Sequence, residues 1–106
     1  MIKILFCAKD HRELDVEKEL NLDEDVGSWL EMQIEGLHFD CMDYPFDLGD
    51  QYVCYFQTED DYKGCQQIFY LLKDRLSQNS QITIQISIVD SCLENTEMIL
   101  DSIGND

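Results

Sequence analysis

Along ITIQISIV, residues 82 to 89, Ile82, Ile84, Ile86 and Ile88 are separated by Thr83, Gln85 and Ser87. A period of two places the isoleucines on one face of a strand. QYVCYFQ (51 to 57) reads as a second strand from its aromatic and β-branched content, and IKILF (2 to 6) as a third. The period changes after Thr58. Tyr62, Cys65, Ile68, Phe69, Leu72 and Leu76 then recur at three- and four-residue intervals, which predicts a helix of about five turns with that stripe buried. Thr58-x-x-Asp61 resembles a capping box. Glu59, Asp60 and Asp61 suit the positive end of the helix, and Lys73 and Arg75 the negative end. Gly64 interrupts it at a cost of about 1 kcal/mol relative to Ala.

WLEMQIEGLHFDCM, residues 29 to 42, alternates on both sides of Glu35-Gly36. That pattern predicts a hairpin whose glycine takes positive φ. Leu30, Met32 and Ile34 would face Cys41, Phe39 and Leu37 on the buried side. The outer side would set Gln33 against His38, Glu31 against Asp40 and Trp29 against Met42. DHRELDVEKEL (10 to 20) is a weakly patterned helix, NLDEDVG breaks the chain, and DYPFDLGD is a loop. Ser91-x-x-Glu94 predicts the cap of a last helix carrying Leu93, Thr96, Leu100 and Ile103 on one side. The expected architecture is α+β in one domain spanning 1–106, a mainly antiparallel sheet of about five strands with helices packed on one face.

Charge changes the picture more than composition does. With hydrophobic residues at 44% of 106, a core is within reach and disorder is disfavoured. Yet 23 acids face seven bases, for a formal charge of −16. Such a surface repels nucleic acid and anionic lipid, which disfavours both as direct partners, and attracts a basic one. The distribution is uneven, since no Lys or Arg occurs from Glu19 through Tyr62, whereas a merely soluble surface mixes its signs.

The usual chemical signatures do not emerge. Cys7, Cys41, Cys54, Cys65 and Cys92 are odd in number and lack C-x-x-C spacing. That predicts five reduced thiols in the cytoplasm, Cys41 and Cys65 buried among them, rather than a disulfide framework or zinc site. His38 and Cys41 are three apart, an offset that sends them to opposite faces of a regular strand. His11, between Asp10 and Arg12, reads as a solvated loop residue. Asp40, Asp43, Asp47 and Asp50 do not follow calcium-loop spacing, and no phosphate-binding glycine motif or nucleophile elbow occurs. The start, MIKILFCAKD, is too short an apolar run for a secretory segment. The expectation is a non-enzymatic protein without metal or cofactor.

On the predicted hairpin, Glu31 opposite Asp40 is a like-charge pair that destabilises a sheet locally. Beside it, Trp29 and Met42 add apolar surface of the kind that anchors protein contacts. Those four residues are candidates for partner binding, with Asp43, Asp47, Asp50, Glu59, Asp60 and Asp61 in the acidic loops. In size, α+β pattern and the base-free stretch carried by WLEMQIEGLHFDCMDYPFDLGD and QTEDDY, the chain resembles the small immunity proteins of bacterial toxin systems. The resemblance implies a cytoplasmic inhibitor that neutralises a cognate basic toxin domain, a nuclease among the candidates. The chain is also similar to phage-encoded acidic mimics of nucleic acid, which implies competition with DNA or RNA for an enzyme. A non-catalytic interaction module is a further reading.

Overall fold

The computed structural model describes residues 1–9, 14–43, 50–76, 81–89 and 97–103, with Asp43 and 97–103 described as backbone only. Strand β1 (Ile2–Ala8) buries alternate residues Ile2, Ile4, Phe6 and Ala8. Two helices follow, α1 (Val16–Glu19) and α2 (Val26–Gln33), and then β2 (His38–Asp43) and β3 (Gln51–Gln57). Helix α3 (Asp61–Arg75) leads to β4 (Ile82–Val89) and β5 (Glu97–Ile103). The pairings among the described residues are all antiparallel, in the order β2-β3-β1-β4-β5. Thus β1 and β2 are parallel with β3 between them, as are β3 and β4 with β1 between. This is the split β-α-β, ferredoxin-like connectivity, extended by β5 at one edge.

One core joins the three helices of the described residues to one face of the sheet. It contains Val16 and Leu20 of α1, Val26, Trp29 and Leu30 of α2, and Cys65, Ile68 and Leu72 of α3. Against them lie Ile2, Ile4, Phe6, Cys54, Phe56, Ile82, Ile84 and Ile86 of the strands. Phe6 stacks on Tyr52 at 5.8 Å, and Phe39 meets Phe56 at 5.7 Å.

Four expectations are corrected. Residues 29–34 are not the first arm of a hairpin: 26–33 is helical, and only the second arm is a strand. The stretch satisfies two periods at once, since Val26, Trp29 and Leu30 also have helical spacing. Asp25 decides between them, its carboxylate accepting from the Ser28 N–H and hydroxyl, each at 2.9 Å. Met32, inward in the hairpin reading, is 65% exposed. Gly36 does have φ +83°, but it turns a helix into a strand. Second, 97–103 is a strand, which pairs the backbone of β4 that a helix there would leave open; the proposed cap at Ser91 and Glu94 lies outside the described residues. Third, α3 is capped by Asp60 accepting from the Lys63 N–H at 3.1 Å, not by Thr58, and Tyr62 is 58% exposed rather than in the buried stripe. Fourth, the β2–β3 register shifts between Phe39 and Cys41. His38 and Cys41 therefore oppose Gln57 and Tyr55, which share a face, and Cys41 is half-buried on the side without helices.

Cys54 and Cys65 are buried, Cys7 is half-buried, and the four described cysteines form no disulfide with one another. Burial pushes the Cys54 thiol up to about 12. Cys92 and His11 lie outside the described residues.

Candidate functional site

Four chain segments meet where β2 begins and β3 ends. Helix α2 stops at Gln33, its cap residue Ile34 donating to the Leu30 carbonyl. Glu35 and Gly36 then swing the chain into β2. On the other side β3 ends at Gln57, and Thr58, Glu59 and Asp60 lead into α3, because the Asp60 side chain ends the strand by starting the helix. Between the two connections lies an open groove of about 540 Å³, lined by Glu35, His38, Glu59, Asp60 and Lys63 among others.

The carboxylates at and near this end of the sheet are held by different means. Glu31 Oε2 accepts from the backbone N–H of Phe39 at 2.9 Å, and Asp40 accepts from the Gln57 side-chain amide. Asp60 caps α3. Glu31, Glu35, Asp40, Glu59 and Asp60 are all exposed. Asp61 differs: its carboxylate meets the Met1 ammonium at 2.9 Å.

The anticipated residues therefore separate. Glu31, Asp40, Glu59 and Asp60 gather at this end, although Glu31 and Asp40 are not a cross-strand pair. Trp29 is only 5% exposed, packed in the core with the Arg75 guanidinium 5.5 Å from its ring centre, so it is no surface anchor. Met42 is exposed, but its sulfur accepts from the Tyr52 hydroxyl and it lines a different hollow. Asp50 is buried at the opposite end of β3, its carbonyl accepting from Ala8 N. The backbone of Asp43 pairs with Val53, and Asp47 lies outside the described residues. Glu35 and Lys63 were not anticipated. Glu35 was hidden by its assignment to a hairpin tip, and nothing in the sequence sets Lys63 beside it.

The second hollow, of about 200 Å³, lies between α1, the start of α2 and Met42, and brings Asp15, Glu17 and Asp25 together. Burial raises the Glu17 carboxyl above its ordinary range, partly offset by its bond from the Val26 N–H. The Ser28 bonds hold Asp25 below its range. The two act oppositely on stability. An ionised Glu17 carries a penalty in the fold that vanishes once it is protonated, whereas Asp25 stabilises while ionised and loses that contribution as pH falls through its depressed value. Glu17→Gln is therefore expected to raise the unfolding temperature at pH 7, and the gain should shrink as pH falls through the raised folded-state value and be gone below about 4.5, the ordinary glutamate value. Thermal melts at pH 7 and pH 4 check this; an equal shift at both would show that ionisation of Glu17 is not the cause.

Among the described residues, no three His, Cys, Asp or Glu side chains could together hold a metal ion. None of the described helices is long and apolar enough to cross a membrane. No protein-family model matches the chain, and neither does any curated protein or solved structure. The reading of the site thus rests on its own chemistry. Carboxylates around a groove open to water make its rim electronegative.

Proposed function

We propose that this chain is a small acidic inhibitor, an immunity-type protein that binds and neutralises a basic protein domain. The supporting observation is the convergence of Glu35, Glu59 and Asp60, drawn from separate parts of the base-free stretch, around one groove, with Asp40 bonded to Gln57 of its lining. In the folded protein their fields add, and an approaching Lys or Arg gains from several carboxylates at once. Lys63 on the rim favours a partner whose cations reach the Glu35 and Glu59 side rather than the helix flank. Convergence at one end fits a compact basic patch better than the extended phosphate path that a nucleic-acid mimic would copy.

The test begins with the product of the neighbouring reading frame, asking whether it co-purifies with this chain and loses its toxicity on co-expression. Glu35→Lys combined with Glu59→Lys then reverses two exposed charges without touching a cap. The association rate should fall about tenfold or more at low ionic strength, and the difference from the parent should narrow with added salt. An association rate indifferent to both the double variant and salt would exclude this groove as the contact. Competition by DNA or RNA for the same partner surface would favour the mimic instead.

A further inference from the structure

We infer that Glu31 is a guard on the outer edge of the sheet, keeping β2 from pairing with a strand of a second copy of this chain. The backbone phase of the sheet leads there. Ala8 N donates to the Asp50 carbonyl, so alternate residues of β3 from Asp50 onward, Tyr52, Cys54 and Phe56, turn their backbone groups toward β1. Phe39 is opposite Phe56. Its partner's groups are engaged with β1, so the Phe39 N–H points away from the sheet, toward the position an added strand would occupy. The Glu31 carboxylate already accepts a hydrogen bond from that N–H, at 2.9 Å.

The bulge completes the device. Beyond Asp40 the register shifts, so Cys41 faces Tyr55, a residue whose backbone groups turn toward β2. The next outward-facing residue is therefore Met42. Outward groups at Phe39 and Met42 are three residues apart, and an incoming regular strand presents its groups every two. Asp40, the inserted residue, is held by Gln57 of the neighbouring strand. A bulge and a charge placed across an edge are recurrent means of keeping sheets from associating. Here the acceptor that occupies the outward donor comes from α2, so the guard forms only when the helix docks.

The test compares the parent with Glu31→Ala, which removes the acceptor, and Glu31→Gln, which keeps an acceptor oxygen without the charge. Amide exchange at Phe39 is followed by NMR, and self-association by sedimentation velocity in 1 M salt, where screening of the −16 charge acts over about 3 Å. In Glu31→Ala the Phe39 amide should exchange roughly tenfold faster or more, and a concentration-dependent dimer should appear. Glu31→Gln should exchange slowly and stay monomeric. Unchanged exchange in Glu31→Ala would overturn the inference, as would faster exchange with no association. Association of Glu31→Gln to the same extent as Glu31→Ala would also overturn it, because the occupied donor would then not be what holds the edge.

Discussion

Replacing Trp29 by Ala is expected to lower folding stability by about 3–5 kcal/mol, the range for removing a large aromatic ring from a packed core. Trp29 is 5% exposed on α2, in one cluster with core residues of the sheet and of α3. The Arg75 guanidinium lies over its ring at 5.5 Å, a contact that adds some fraction of the total at this partly exposed site. Against a typical stability of about 5–15 kcal/mol for a domain, the loss leaves little margin. Chemical denaturation measures it from the midpoint at constant slope. Trp29→Phe should recover most of the stability, because a smaller ring still fills much of the space. A change below about 0.5 kcal/mol for Trp29→Ala would show that the ring is not part of the core. Weak partner binding by Trp29→Ala would therefore reflect unfolding, not a lost contact.

How legible this fold was from the chain depends on whether a segment satisfies one period or two. QYVCYFQ and ITIQISIV have little helical alternative, and β3 and β4 have the bounds read from them. The stretch from Val26 to Ile34 satisfies both periods, and there a single local bond set decides: Asp25 on Ser28 starts a helix before alternation can matter. The C-terminal segment shows a different limit. Its helical spacing of Leu93, Thr96, Leu100 and Ile103 was a local signal, whereas 97–103 is a strand because β4 offers it an edge, a tertiary fact no local window contains.

The same distinction governs the site. Charge density was legible, because the absence of bases between Glu19 and Tyr62 needs no fold. Which acids meet was not. Cross-strand opposition paired Glu31 with Asp40, whereas Glu31 reaches the Phe39 backbone and Asp40 the Gln57 side chain. Asp61, one of an acidic triplet by sequence, is compensated by the Met1 ammonium, some sixty positions away in the chain. Asp60, its neighbour, is committed to a helix cap and still lines the groove.

Gly64→Ala is expected to destabilise the fold by about 1–2 kcal/mol, although the same change in an exposed helix stabilises by up to about 1 kcal/mol. The reversal follows from where α3 crosses the sheet. A Cβ at position 64 would stand 2.8 Å from Ile2 Cδ1 and 3.0 Å from Thr58 Cγ2. Ile2 is fully buried on β1, so its terminal methyl can retreat only by leaving its rotamer or by pushing α3 outward. Either response disturbs the first turn of α3, where Asp60 caps the helix and Asp61 meets the Met1 ammonium. Ile2→Val removes the methyl that collides. Combined with Gly64→Ala it should lose less than the sum of the two single changes, since the clash is absent from the double variant. Denaturation of the parent, both single variants and the double variant closes this cycle. Strict additivity, or a stabilised Gly64→Ala, would show that the space above Gly64 is not filled by Ile2. A positive coupling would show that glycine sits within this helix so that α3 can lie close to β1, which is also what brings Glu59 and Asp60 to the rim of the groove.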